Sequence, residues 1–329
     1  MILLTRDDPE RGLWVIAVFG AGLVGSGIAS ALATSRAFEA RARPVDWRSP
    51  SHREADLARI GAELRLLLGS RSDVVLRTVW AAGRTGLASR ERECAEELEG
   101  FQGVARLAQG LAREHPAARH GLLLVSSVGG VFEGQRIVGS RSTPSPRRPY
   151  GRLKLRQEAL LGEAGDVLVG RIVRLTSVYG YIRPRRRLGL VPTLIHNGIR
   201  QAKTRIVGRM DTLRDFVWIG DVSRHLSGVL QDEAGWDRPP VLTLGSGKPS
   251  SLAEIHRVVE QTLGRRIYVS YSLDPANEAD VSIDAAALPA GWLASDLRSN
   301  VQRIYRDALS RGVPPTASRA DPGAAGRAA

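Results

Sequence analysis

The sequence predicts an α/β fold, a doubly wound and mostly parallel sheet followed by a smaller C-terminal α/β group. Three observations carry that expectation. Residues 14–19 are an unbroken apolar run that stops at a cluster of glycines. From there to residue 175, short apolar runs alternate with longer segments of helical periodicity, the pattern of strand–helix–strand crossovers. Beyond residue 181 the alternation resumes on a smaller scale, with apolar runs at 241–244 and 267–271 around a helical stretch.

Taken in order, residues 14–19 form a buried strand and residues 23–34 a helix. A short second strand ends at Val45-Asp46. Leu57, Ile60, Leu64 and Leu67 recur at helical spacing and predict one helix over 51–68. The run from Asp46 to Asp73 is short and shows no clear third strand, so the sheet is expected to lack that edge strand, with this helix crossing over alone. Residues 73–82 are the next strand, closing on Trp80-Ala81-Ala82-Gly83. A long helix over 90–114 and a strand over 122–126 follow. Pro144, Pro146 and Pro149 stiffen the loop before a helix that opens near Tyr150, and 167–175 is another strand. Then come a basic loop at 183–188, a helix at 191–201, the strand 241–244, a helix at 252–263, the strand 267–271 and a last helix at 295–310. The expected division is a nucleotide-binding unit at 14–180, with 215–246 returning to it, and a substrate unit at 181–214 and 247–312. Residues 313–329, rich in Pro, Gly and Ala, are expected to be disordered.

Composition removes several classes. At 329 residues and 43% hydrophobic, the chain can bury a sizeable core. A single cysteine, Cys94, rules out an intramolecular disulfide and fits a reducing compartment. The uncharged stretch from Gly12 to Ser35 is broken by glycines and is a poor spanning segment. Asp7, Asp8 and Glu10 ahead of it argue against a signal peptide, so a soluble, cytoplasmic protein with no membrane partner is expected. The formal charge is +13, yet only Lys154, Lys203 and Lys248 are lysine. The arginines are spread along the chain, which favours compositional bias first, a basic cleft for a phosphorylated small molecule second and nucleic acid last. The six histidines show no metal-ligand spacing, no Gly-x-Ser-x-Gly elbow is present, and no aromatics interleave with basic residues for base stacking. No metal and no nucleic acid are expected.

Gly20-Ala21-Gly22-Leu23-Val24-Gly25 is a G-x-G-x-x-G between the first strand and its helix. Gly20 permits the tight turn, Gly22 lets the backbone approach a pyrophosphate, and Gly25 allows close helix–strand packing. The helix N-terminus, with Leu23 and Val24, faces the phosphates. This is the pattern of a Rossmann-like dinucleotide site. Asp46 lies about twenty residues further on, where an acid would hold the adenosine ribose and favour NAD. Arg48 could instead meet a 2′-phosphate and favour NADP.

Tyr150 and Lys154 stand four residues apart, on one face of a helix. A phenol at its ordinary pKa exchanges protons poorly at neutral pH. A nearby ammonium stabilises the phenolate and makes exchange with a substrate hydroxyl feasible.

The glycine turn, Ala81-Ala82-Gly83, Ser126-Ser127 and Tyr150-x-x-x-Lys154 together resemble the extended short-chain dehydrogenase/reductase family, in its nucleotide-sugar epimerase/dehydratase branch. The similarity continues through Ser177-Val178-Tyr179-Gly180, residues 189–192 and residues 213–222, and covers about residues 14–312. The resemblance implies that Tyr150 is the acid–base, that Lys154 also holds the nicotinamide ribose, and that Ala81, Ala82 and Gly83 border the cofactor. It implies a hydroxyl at the reacting oxygen, for which Ser127 is the candidate and Ser126 the alternative. Arg214, Ser177 and Arg84 are candidate substrate contacts. A homodimer through the helices at 90–114 and 150–162 is a further family-based expectation. This sequence departs from the family where Val128 stands at the usual serine or threonine position and Ser177 at a common asparagine. Asn277 and Glu278 stand where an arginine is usual.

The expected function is an NAD(P)-dependent enzyme acting on a sugar hydroxyl, with epimerization of a nucleotide sugar leading. Dehydration is less favoured, because Val128-Gly129-Gly130 rather than acidic residues follow the serines. Reduction of a keto-sugar or related carbonyl by NADPH is the alternative. A catalytically silent nucleotide-binding protein with a regulatory or assembly role is the alternative from another class.

Overall fold

The structure is a computed structural model that describes residues 1–34, 38–163, 165, 168–181, 188–233, 236, 241–272 and 280–311. The basic loop at 183–187, Asn277 and Glu278, and the tail at 313–329 lie outside the described residues.

The chain opens with β1 (Ile2–Asp8), β2 (Gly12–Phe19), α1 (Leu23–Thr34), β3 (Glu39–Ala42), α2 (Pro50–Leu68), β4 (Val74–Trp80) and α3 (Glu91–Glu114). There follow β5 (Arg119–Ser127), the one-turn α4 (Val128–Val131), β6 (Ile137–Val138), α5 (Pro149–Gly162), β7 (Val169–Leu175) and β8 (Ser177–Tyr179). The remainder is α6 (Leu190–Arg200), β9 (Thr204–Val207), β10 (Leu213–Trp218), α7 (Ile219–Gln231), β11 (Val241–Leu244), β12 (Pro249–Ser251), α8 (Leu252–Leu263), β13 (Val269–Ser272), β14 (Ser282–Ile283) and α9 (Leu297–Arg311).

Seven strands form the main sheet in the order β11-β7-β5-β4-β2-β1-β3. From β2 to β11 the neighbours are parallel. Because helices cover both faces, β2 is buried along its whole length, and its side chains alternate between two cores. Val15, Ala17 and Phe19 join the core under α2 and α3, while Trp14, Ile16 and Val18 join the one under α1 and α7. A third core, built on Leu194, Ile195, Ile255, Val259 and Ile304, gathers α6, α8 and α9 beyond the C-terminal ends of the parallel strands.

As expected, the usual third strand is absent among the described residues. After β3 the chain passes through α2 alone and returns in β4, which pairs directly with β2. Two features differ from the sequence expectation. The second strand is Glu39–Ala42 and ends before Val45-Asp46. It is also one place further out, because β1 lies antiparallel between β2 and β3. The β1–β2 turn is fixed by the Asp8 carboxylate, which accepts from the backbone N–H of Glu10 and Arg11, and by Gly12 at φ +77°.

Candidate active site

Gly20 adopts φ +110°, and a Cβ there would stand 2.4 Å from the backbone of Ala81 and Ala82, so the turn rests directly on the end of β4. A Cβ on Gly25 would meet the Gly20 carbonyl oxygen at 1.8 Å. Both positions exclude any side chain. Gly22 is different: it is exposed, and a Cβ there would have only the Ala81 oxygen for company, at 4.0 Å. Space is therefore kept above Gly22, beside the unsatisfied first amides of α1 at Leu23 and Val24. That is the cradle a pyrophosphate requires. The residues present fit a dinucleotide.

Although β3 is displaced, the loop after it doubles back. The Trp47 ring packs edge-on against Phe19, at 6.4 Å between centroids, and against Trp80 at 5.4 Å. Asp46 is thus next in chain to a residue seated at the C-terminal ends of β2 and β4. Its carboxylate accepts from the Arg48 amide (3.0 Å) and lies 3.3 Å from His52 Nδ1, interactions that hold its pKa low.

Tyr150 opens α5, with Pro149 ahead of it in the first turn where a missing N–H costs nothing. Its ring lies against the turn at 128–131, where a Cβ on Gly130 would come within 2.9 Å of Tyr150 Cε1. Ser127 starts that turn, its Oγ accepting from the Gly130 amide at 3.2 Å. Ser126 points elsewhere. Its hydroxyl donates to the buried Glu158 carboxylate at 2.5 Å, which Arg174 also holds, Nη2 to Oε2, at 2.6 Å. Adjacent residues on a strand face opposite ways, so only one of the two serines can look into the site.

Ser127, Tyr150, Ser177 and Arg214 line one cleft of about 210 Å³, together with Gly86, Leu87, Thr176 and Asp215. These residues come from five separate stretches of chain, and the parallel register of β8 with β10 brings the last two stretches together. Asp215 is buried, and its carboxylate accepts from Thr176 Oγ1 (2.9 Å) and from the amides of Ser246 (2.6 Å) and Gly247 (2.8 Å). Arg214 is half-buried. Burial, and then the neighbouring Arg148 guanidinium, pull its pKa down, while Asp280 opposes them. Arg84 is not brought into this lining; its side chain is exposed and its backbone N–H donates to Glu97.

Lys154 is buried, its Nζ 5.7 Å from the centre of the Tyr150 ring. The ammonium donates to Glu97 Oε1 at 2.9 Å and to Gln157 Oε1 at 3.1 Å. Burial works against the charged lysine and is the largest single influence, but Glu97, Tyr150 and Cys94 together outweigh it and the pKa is raised. Gly83 lies over the pair, with room for a Cβ only 3.5 Å from Glu97 Oε1. Sequence reasoning missed Glu97. The available signal was a carboxylate on the apolar stripe Cys94, Phe101, Val104, Ala108, Leu111 of α3.

An open glycine cradle at a strand–helix junction, with a tyrosine–lysine pair beside a polar cleft, defines a dinucleotide-binding α/β protein of the extended short-chain dehydrogenase/reductase class. Residues 16–245 match the NAD dependent epimerase/dehydratase family, and the chain belongs to it. Among curated proteins it is similar to a putative UDP-glucose 4-epimerase of Methanocaldococcus jannaschii, with 26% identity over 198 residues, 56% of this chain and 61% of that one. It is also similar to the dTDP-4-dehydro-6-deoxyglucose reductase of Escherichia coli, with 24% identity over 173 residues, 48% of this chain and 54% of that one. The matched region thus spans between half and two thirds of these relatives. The fold is that of the Thermus thermophilus UDP-glucose 4-epimerase solved with NAD, at TM-score 0.70 and 17% identity, covering 89% of this chain and 99% of that one. Among the described residues no helix is long and apolar enough to cross a membrane.

Proposed function

We propose that this chain is an NAD-dependent enzyme that epimerizes a nucleotide sugar through a transient keto intermediate, with Tyr150 as acid and base. The observation that carries the reading is the single cleft lined by Tyr150, Ser127, Ser177 and Arg214. A proton-exchanging phenol, a hydroxyl beside it and a half-buried guanidinium are what oxidation of a sugar hydroxyl in an anionic substrate calls for.

In this reading the cofactor lies on the unit at 14–180 with 215–246, and the unit at 181–214 and 247–312 covers the substrate. Gly20, Gly22, Leu23, Val24 and Gly25 hold the pyrophosphate, Asp46 the adenosine ribose, and Ala81, Ala82, Gly83 and Lys154 the nicotinamide half. The bound cofactor supplies acceptance and return of a hydride. Tyr150 Oη takes the proton of the reacting hydroxyl and later gives it back, and Ser127 Oγ hydrogen-bonds the same oxygen. Lys154 keeps positive charge 5.7 Å from the centre of the phenol ring. Arg214 binds phosphate of the substrate.

The reductase relative favours a second reading, in which the same groups deliver a proton to a keto-sugar and NADPH is consumed. Mass spectrometry of the nucleotide released on denaturing freshly purified protein separates the two. Retained NAD or NADH is the expected result for a cofactor recycled in each turnover. An empty site that takes up NADPH would move the assignment to a reductase. Failure to bind any nicotinamide nucleotide would overturn both.

A further inference from the structure

The Glu97 carboxylate sits on the sheet-facing stripe of α3, with its side chain 4% exposed, and the chemistry above leaves it without a role. A carboxylate in such a place is costly unless it is fully paired. Here four donors meet it. Oε2 accepts from the amides of Arg84 (2.9 Å) and Thr85 (3.1 Å) and from Thr85 Oγ1 (2.7 Å), and Oε1 accepts from Lys154 Nζ (2.9 Å). One side chain therefore joins the loop after β4 to the lysine of α5. The two elements share no hydrogen bond of their own among those seen in the described residues.

Lysine has three N–H donors. Glu97 and Gln157 take two of those of Lys154, so the ammonium is held in direction with one donor left for a hydroxyl on the cofactor side. The groups facing the ammonium are Glu97 and Cys94 from α3, Tyr150 and Gln157 from α5, and the Gly83 backbone above. Cys94 is buried, and burial, with Glu97 second, pushes its thiol up to about 11, so it offers no counter-charge at neutral pH. Glu97 is the carboxylate of this set. A lysine buried this deeply without an anion gives up its proton readily.

We propose that Glu97 is a positioning residue that keeps Lys154 charged and aimed, and that latches the loop at 83–86 to the same ammonium. The proposal deepens the reading in which Lys154 serves Tyr150 and the cofactor, but its test does not depend on that reading.

The chain has three lysines, so protein labelled with 13C-lysine gives three side-chain signals to follow against pH. In the wild type the Lys154 signal is expected to stay in its protonated position beyond the pH at which the exposed Lys203 and Lys248 titrate. In Glu97→Gln its midpoint is expected to fall by more than about one pH unit, and Glu97→Asp to restore most of that fall. If the protein is active, the alkaline limb of kcat/KM moves down with the signal. A Lys154 that titrates with or below the other two in the wild type would overturn the proposal, even if Glu97→Gln does not fold. So would an unchanged midpoint in a folded Glu97→Gln. A protein that shows the expected titration but binds no nicotinamide nucleotide would sink the proposed function and leave the role of Glu97 standing.

Discussion

Gly151 and Gly130 meet so closely that a Cβ on Gly151 would stand 2.1 Å from the Gly130 carbonyl oxygen. This contact seats the first turn of α5 on the turn after Ser127, and so sets how near the Tyr150 phenol comes to the serine hydroxyl. The obstructing atom is backbone, which cannot swing away. Gly151→Ala is therefore expected to force the two turns apart, at a cost of about 1–3 kcal/mol. Thermal unfolding should show the loss of stability, and steady-state kinetics a fall in kcat larger than any change in cofactor affinity.

The three glycines of the nucleotide turn should separate by role. Gly22→Ala meets open space in the protein alone, so the fold and melting temperature should be unchanged. The new methyl occupies the ground a pyrophosphate needs, and affinity for NAD should drop by about tenfold or more. Gly20→Ala and Gly25→Ala run into backbone at 2.4 and 1.8 Å and should lose the fold instead. Calorimetric titration with NAD, alongside melting curves, would distinguish these outcomes; a Gly22→Ala protein that binds NAD normally would remove the turn from the cofactor site.

These contrasts show what local sequence could and could not carry. The glycine turn was legible because its residues are contiguous and their spacing has a mechanical meaning. Tyr150 and Lys154 were legible because a helix converts a four-residue spacing into one face. The absent third strand was legible because the short run between Asp46 and Asp73 shows no clear strand pattern beside its helix. By contrast β1 was unread, since Ile2, Leu3 and Leu4 are followed by Thr5-Arg6-Asp7-Asp8, whose polarity hides a strand held between two neighbours. Glu97 escaped because its partners lie 12 to 57 residues away and exist only once α3 and α5 have packed. The same limit applies to Arg84, which borders the expected cleft in sequence but turns its side chain to solvent.

Ser126 and Ser127 should respond oppositely to alanine. Ser126 donates to a buried carboxylate that Arg174 also binds, and Ser126→Ala should lower stability by about 1–3 kcal/mol by leaving part of Glu158 unsatisfied. Its effect on turnover should be small. Ser127 lines the cleft, and its bond to the Gly130 amide closes a single helical turn, so Ser127→Ala should cost about 1 kcal/mol as a lost cap. The rate should suffer more than the fold. A Ser126→Ala protein that is stable but slow would reverse the assignment.

The Tyr150 phenol has the plainest prediction. Among the described residues no hydrogen bond from its hydroxyl to the protein is seen, and its ring rests on Gly130 through carbon contacts that phenylalanine reproduces. Tyr150→Phe should therefore melt with the wild type and retain NAD. If the phenol moves the substrate proton, kcat should fall by about 10²–10⁴-fold, the range that positioned acid–base groups supply. Incubating wild type and variant with a panel of nucleotide sugars, and reading each by chromatography for a new epimer, measures this directly. A variant as active as the wild type would take the proton transfer away from Tyr150. Cofactor binding with no turnover by either protein would instead favour a nucleotide-binding protein that has kept the fold and given up the reaction.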